Sequence, residues 1–448
     1  MNRKKIGGYA AALALAAVVG VQPVLAGSYK LTIPSGYTSP FLDVQKGQWY
    51  YNYVAALNSM GIIDGYGNGY FGANDSLTAG AALVMVLKAA GSGTITATGS
   101  HYASGYADYA MARGYLTSEE IGNLDGEMPR ILVAHLAAKA LGLSPSQAKS
   151  PFADVDDGYL TALYEMGIVT GSTENGKTVF LPDKPITRAE ISVVVWQVER
   201  VHKYGKQIYF QNTYYDILKN VPVNSYNSSC FSKNSSGYMT YTEPGVQTAL
   251  GIDVSVYQGE IDWQQVAAAG IDFAIIRVGY RGYGTEGKMM PDKYFVQNIE
   301  GALNAGLDVG VYYFSQAITV DEARQEAAYV IEQVKNYPLT YPVVFDWERQ
   351  NYSGSRTQKV PSVSTMCQMA NAFCADITAA GYEAMVYFNP SEGYSQYDLS
   401  QLMNYPFWLA QYNNLPTFYY DFDMWQYTSS GRVPGISGNV DMNIRFFR

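Results

Sequence analysis

The chain is poor in the two residue types on which most nucleophilic and metal chemistry depends. Of 448 residues only three are cysteine and three histidine, and His101, His135 and His202 all lie in the first half. Nothing beyond residue 202 can supply an imidazole, so Ser-His-Asp, Cys-His and histidine-ligated zinc mechanisms are excluded there. Carboxylates remain. Cys367 and Cys374 are seven apart in a helical pattern, about 10 Å along the axis and too far to bridge. Cys230 stands alone in a polar stretch, so no disulfide framework is indicated; no metal and no cofactor are expected. Positive charge is also short. Thirty Lys plus Arg against 39 Asp plus Glu give a net charge of -9, which argues against electrostatic binding of nucleic acid.

Long apolar runs are missing beyond the N-terminus. Arg3, Lys4 and Lys5 form a basic start, an Ala/Val/Leu run follows from Tyr9 to Val21, and Val24-Leu25-Ala26 offers a cleavage site. This is the pattern of a signal peptide over 1–26, and the run is too short before Pro23 to span a bilayer. No membrane span is expected, and the mature chain is expected to be secreted. Loss of those three cations and no acids makes its charge -12. What the chain does have is apolar residues at 48% and 40 tyrosines. The first excludes a disordered chain; the second suits core packing and also flat surfaces that stack on sugar rings.

Self-similarity runs from Phe41 to Arg200. Phe41-Leu42-Asp43-Val44 recurs as Phe152-Ala153-Asp154-Val155, and Gly61-Ile62-Ile63-Asp64-Gly65-Tyr66 is answered by Gly167-Ile168-Val169-Thr170-Gly171-Ser172. A weaker middle copy passes through Gly114-Tyr115-Leu116 to Met128-Pro129-Arg130. Each unit reads as a short helix, a glycine-bounded turn and a second helix; at Thr187, with Glu190 three residues on, a capping box starts that helix. Ile191, Val194, Val195 and Val198 give an apolar face that one unit cannot bury alone, so the units should pack as a trio. Phe152-Ala153-Asp154-Val155 with Pro185-Ile186-Thr187-Arg188-Ala189-Glu190 resembles the S-layer homology repeat. The resemblance implies a mainly helical trio over 27–201, with copies at about 41–90, 101–143 and 152–201, the first two degenerate. It also implies attachment to secondary cell-wall polysaccharide, with Arg188 and Arg130 facing an anionic sugar. Copy one has Leu77-Thr78-Ala79-Gly80-Ala81 and lacks that arginine. The alternative role for Arg188 is to neutralise Glu190 or a neighbouring helix.

Residues 202–248 are rich in Tyr, Asn and Ser without sustained periodicity, and read as a linker. From 249 to 448, eight short apolar runs, the first at Gly251 and the last at Val440, alternate early on with helical patterns. They predict an α/β domain, a TIM-like (β/α) barrel that is incompletely wound. In such barrels the strands' C-terminal ends build the site. Asp253, Asp346, Glu348 and Asp441 fall at strand ends. Alternation puts Asp346 and Glu348 on one face, roughly 7 Å apart at Cβ, and crowding should keep one of them protonated near neutrality. Such a pair can cleave a glycosidic bond; otherwise Asp346 caps a loop and Glu348 pairs with Arg349 or Arg277.

Gly251-Ile252-Asp253-Val254-Ser255-Val256-Tyr257-Gln258-Gly259, Val344-Phe345-Asp346-Trp347-Glu348, Met424-Trp425-Gln426-Tyr427 and Val440-Asp441-Met442-Asn443 together resemble the lysozymes of glycoside hydrolase family 25. The resemblance implies a retaining β-1,4-N-acetylmuramidase acting on peptidoglycan. Glu348 matches the proton donor, and Asp346 the carboxylate that attacks the anomeric carbon or steadies the substrate's acetamido group; Asp253 and Asp441 match flanking acids. It further implies sugar contacts from Tyr313, Tyr387, Trp408, Trp425 and Gln426, with core packing the alternative for each aromatic. The rival function is a structural S-layer or wall protein whose barrel binds glycan without cutting it.

Overall fold

The computed structural model describes residues 28–29 and 31–448; the signal peptide expected over 1–26 lies outside the described residues. Between residues 51 and 204 the chain is helical, apart from a small hairpin at 172–179: α1 Tyr51–Ser59, α2 Ala79–Ala89, α3 Ser104–Ala112, α4 Ser118–Ile121, α5 Arg130–Ala140, α6 Gly158–Glu165 and α7 Arg188–Tyr204. The repeated aspartates explain the repeated loops. Asp43 accepts the backbone N–H groups of Phe71, Gly72 and Ala73, and Asp154 those of Phe180 and Leu181, which satisfies the turn ahead of the next helix.

The starts of α2, α5 and α7 interlock in a ring. Ala79 N–H and Gly80 N–H bond to the carbonyls of Gly126 and Leu124, Arg130 N–H and Ile131 N–H to those of Lys184 and Pro182, and Arg188 N–H and Ala189 N–H to those of Asp75 and Ala73. Three matching bridges, Thr78 to Glu127, Pro129 to Pro185 and Ser76 to Thr187, repeat the contact. Thr187 and Glu190 form the capping box, and Ile191, Val195 and Val198 are buried in the helical core with Leu83 and Leu136.

Residues 202–248 differ from the linker expectation. Helix α7 runs on to Tyr204, then Gln207–Phe210 pairs with Thr213–Asp216, and Phe231–Lys233 pairs with Met239–Tyr241. Tyr238, Met239 and Tyr241 are buried against the following domain, while Tyr214 packs into the helical core. The strands are only three or four residues long, too short for alternation to register as a period.

The rest is a closed barrel of β1 Gln247–Val254, β2 Phe273–Arg281, β3 Asp308–Ser315, β4 Val343–Trp347, β5 Ala384–Phe388, β6 Phe407–Ala410, β7 Met424–Gly431 and β8 Val440–Phe447. Neighbours from β1 to β7 are parallel; β8 runs antiparallel to both β7 and β1 and closes the ring. Helices α8 Trp263–Ala268, α9 Phe295–Asn304, α10 Val320–Val334 and α11 Val363–Ala379 follow β1 to β4, the six-residue α12 Pro390–Ser395 follows β5, and no α-helix follows β6 or β7. Phe273, Ile275, Val344, Met385, Trp408 and Met424 fill the interior, while Ile276, Val311, Phe345 and Val386 face the helices. At Gly251 a Cβ would sit 2.3 Å from the Phe273 ring, so only glycine lets that ring plug the barrel.

Candidate active site

Four carboxyl side chains converge above this plug. Strand β4 carries Asp346 inward between Phe314 of β3 and Tyr387 of β5 in register, and Glu348 follows at its C-terminal end. Strand β1 ends near Asp253, which lies opposite Asp441 on the antiparallel β8. Asp253 and Asp346 are only 7% and 5% exposed. Amides hold this floor in place: Gln426 Nε2 and Asn443 Nδ2 each donate to Asp253 Oδ2 at 2.8 Å. Gln426 Oε1 in turn accepts from the hydroxyls of Tyr387 at 3.0 Å and Tyr412 at 2.9 Å, and Trp408 Nε1 donates to Asn443 Oδ1 at 2.9 Å. Glu348 is placed through its backbone, whose carbonyl accepts from Gln316 Nε2; Gln316 Oε1 accepts from the Thr357 hydroxyl.

Crowding and burial raise every acid in the cluster. Burial, then the Asp441 charge, pushes Glu348 up to about 7. Asp441, less enclosed, is pushed by burial to about 6. Asp346 is raised well above the carboxylate range by burial and by Glu348, and Asp253 by burial and Asp441, with the Asn443 and Gln426 amides acting the other way. Arg277, a cation that draws Asp346 downward, is itself paired with Asp292 at 2.7 Å. The cluster therefore holds protons into the neutral range. Glu348 pairs with neither candidate arginine: Arg277 is held by Asp292, and Arg349 donates to the Gln358 carbonyl.

The aromatic expectations need correction. Tyr313 is fully buried on the outer face of β3, edge-on to Tyr329 of α10. Its neighbour Ser315 on the same face bonds to Glu326 of that helix, so alternation turns Tyr312 inward instead; the charges of Asp253, Asp346 and Asp441 all bear on the Tyr312 hydroxyl. Trp425 also faces outward, buried against Phe231, with Nε1 donating to the Gln411 carbonyl. Trp408, Tyr387 and Gln426 do face inward, but Trp408 is 1% exposed. Trp408 is closed into the hydrogen-bonded floor with no open ring face for a sugar, while the Tyr387 hydroxyl and the Gln426 amide are tied into the same floor beside the acids.

The sequence reading missed Glu392. It sits in α12 just past β5, 4% exposed, and its carboxylate accepts the Asn389 N–H in a capping box. Burial, then Glu348, pushes it up to about 8. The signal was available: Asn389-Pro390-Ser391-Glu392 is a helix start immediately after a strand, which places its carboxylate at the same barrel end. Tyr412, 54% exposed, was missed as well; it belongs to the irregular loop after β6.

In the helical half, Arg188 is 6% exposed and donates to the carbonyls of Phe71 at 2.6 Å and Asp64 at 2.8 Å, beside the rings of Tyr66 and Phe71. It lines a cavity of roughly 630 Å³ with Tyr66, Tyr102, Lys88 and Asp125. Glu190 is paired by Arg130 of the middle unit, at 3.3 Å, and not by Arg188. Arg130 lies over Phe180 in a smaller cavity that also includes Trp49.

A barrel mouth that gathers carboxyl groups, holds protons among them near neutrality and has tyrosines around it is the equipment of a glycoside hydrolase. The sequence model of "Glycosyl hydrolases family 25" matches residues 252–436, and that of the "S-layer homology domain" matches 40–80 and 151–191. Lysozyme M1 of Streptomyces globisporus is 32% identical over 209 residues, which cover 44% of this chain and 67% of that protein. Among solved structures, the modular autolysin LytC from Streptococcus pneumoniae is 27% identical with a TM-score of 0.41, covering 52% of this chain and 53% of that one, so the match spans about half of the autolysin. The bacterial lysozyme from Streptomyces coelicolor is 29% identical with a TM-score of 0.37, over 44% of this chain and 90% of that one. The chain belongs to glycosyl hydrolases family 25.

Proposed function

We propose that the protein is a secreted, wall-anchored lysozyme that hydrolyses the β-1,4 bond between N-acetylmuramic acid and N-acetylglucosamine in peptidoglycan with retention. The observation that carries this reading is Glu348, held near pH 7 by burial and by Asp441 beside the deeper Asp346. Protonated Glu348 gives its proton to the glycosidic oxygen as the bond to the anomeric carbon breaks. Asp346 and Glu348 face each other as a pair, and in the form where Glu348 holds the proton the ionised Asp346 either bonds to that carbon or orients the acetamido group whose carbonyl oxygen does so. Glu348, now ionised, takes a proton from the water that completes hydrolysis. Asp441 keeps the field negative around the developing oxocarbenium ion, and Asp253, held by the amides of Gln426 and Asn443, flanks it at the floor. Tyr312, Tyr387 and Tyr412 border the sugar. The barrel is read as a TIM-like (β/α) fold whose winding is cut short after β5.

The helical half is read as an anchor of three S-layer homology repeats; copy one, expected to be degenerate with the middle one, is matched at 40–80, which leaves the middle copy as the degenerate one, and the ring of interlocked helix starts supports the trio. Arg188, bonded to two carbonyls and lying beside two aromatic rings in a cavity that Asp64 and Asp125 also line, offers that cavity to an anionic sugar of the secondary cell-wall polysaccharide, and Arg130 offers the smaller one with its charge already shared with Glu190. Among the described residues no helix is long and apolar enough to cross a membrane; the repeats are read as the device of attachment. The test is direct: the mature protein should release new reducing ends from purified peptidoglycan, each carried by muramic acid. N-acetylglucosamine at the new ends, or none released, would contradict it.

A further inference from the structure

Beside the acid cluster lies a second concavity of roughly 630 Å³ that no step above uses, within the ~300–1,000 Å³ typical of ligand pockets. One wall is the turn joining strands 231–233 and 239–241; the other is the far end of β7, from Thr428 to Arg432; the loop after β6, Tyr412 to Asn414, closes one end. The walls are tied together. Tyr238 donates to the Arg432 carbonyl, and Met239 N–H donates to the Tyr427 hydroxyl.

Three features define an occupant. The cavity touches the acid cleft: Tyr412, on its lining, donates to Gln426, which donates to Asp253, and Met442 in its floor follows Asp441. It is also basic in an acidic protein: its lining holds Lys233 and Arg432 and no carboxylate, and among the described residues neither cation is in an ion pair. The remaining lining is rich in small donors and acceptors, including Ser236, Asn413 and Asn414. A carboxylate complements the two exposed cations where a neutral sugar would not, and the small donors and acceptors suit a polar chain over an apolar group. A carboxylate-bearing, hydrogen-bonding chain attached to a ligand already in the cleft satisfies all three.

On the muramidase reading, on which this rests, such a chain hangs from the substrate itself. We propose that the cavity receives the carboxylate-bearing peptide stem of a muramoyl residue near the scissile bond, so that the enzyme favours peptide-substituted strands. One wall comes from residues 231–241, ahead of the segment that the family model matches, so the preference belongs to this chain's own elaboration.

The test uses the full mature chain and a double variant, Lys233→Ala with Arg432→Ala, both positions exposed. Each is assayed on soluble peptidoglycan strands and on the same strands stripped of peptides by an amidase. We expect the wild type to favour the peptide-bearing strands, and the variant to lose about three- to tenfold in kcat/KM on them, the size two exposed ion pairs allow. On stripped strands the variant should match the wild type, and added salt should erase the wild-type preference. Equal losses on both substrates, or none on either, would overturn the proposal. A wild type inactive on both would instead remove the muramidase reading, before any variant is made.

Discussion

At the residue scale, the site is a contest between burial and charge that the chain resolves by holding protons. Which tyrosine of the β3 strand serves the site is a sharp test. Tyr313→Phe should leave kcat/KM unchanged, because its hydroxyl is buried without a partner, and should leave Tm equal or slightly higher. Tyr312→Phe should lower kcat/KM with Tm little altered; the reverse pattern would mean that the strand's faces are exchanged. Gln426→Leu removes a donor to Asp253 and an acceptor for two tyrosines. Leaving a buried polar group without its partner costs about 1–3 kcal/mol, so activity measured by reducing-end release should fall about tenfold. The four acids were legible from the sequence because strand ends and motif spacing both point to them. The floor was not: Trp408 and Gln426 read equally as sugar contacts, and only the register of β7 and β8 shows that they hold the acids.

At the element scale, the barrel's strands were legible because a parallel strand covered on both faces is a continuous apolar run, as in Phe273-Ala274-Ile275-Ile276 and Val343-Val344-Phe345. The hairpins at 207–216 and 231–241 were hidden because their burial depends on aromatic partners far away in sequence, such as Phe446 against Tyr241 and Tyr394 against Tyr215. Helix α12 shows what a short element can carry, since Glu392 both caps it and adds a buried carboxyl beside the site. The carboxyl is raised from 4.5 to about 8 on folding, chiefly by burial. The folded state therefore binds the proton more tightly, and this contribution is full below about pH 4.5 and is lost as pH rises through 8. Glu392→Gln should leave melting near pH 5 almost unchanged and raise Tm at pH 8 relative to wild type. An unchanged difference across that window, by calorimetry, would show that Glu392 is ionised in the folded protein.

At the scale of the whole molecule, the helical half and the barrel are joined by packed structure where the sequence suggested a linker. Tyr214 buries in the helical core while Ile208, in the same hairpin, buries with the barrel. If the repeats hold the enzyme at its substrate, their contribution is effective concentration. Arg188→Ala should then reduce co-sedimentation with polymer-bearing walls about tenfold or more, with activity on soluble strands unchanged; equal sedimentation before and after the substitution would remove Arg188 from the anchor. The proposed chemistry turns above all on Glu348 carrying its proton at neutral pH under the influence of Asp441. The pH dependence of kcat/KM on soluble peptidoglycan strands tests this most directly. It should fall as pH rises above about 7, Asp441→Asn should move that limb to lower pH, and Glu348→Gln should abolish turnover by about 10²- to 10⁴-fold. A rate that stays level to pH 9, or a basic limb that does not move in Asp441→Asn, would contradict it.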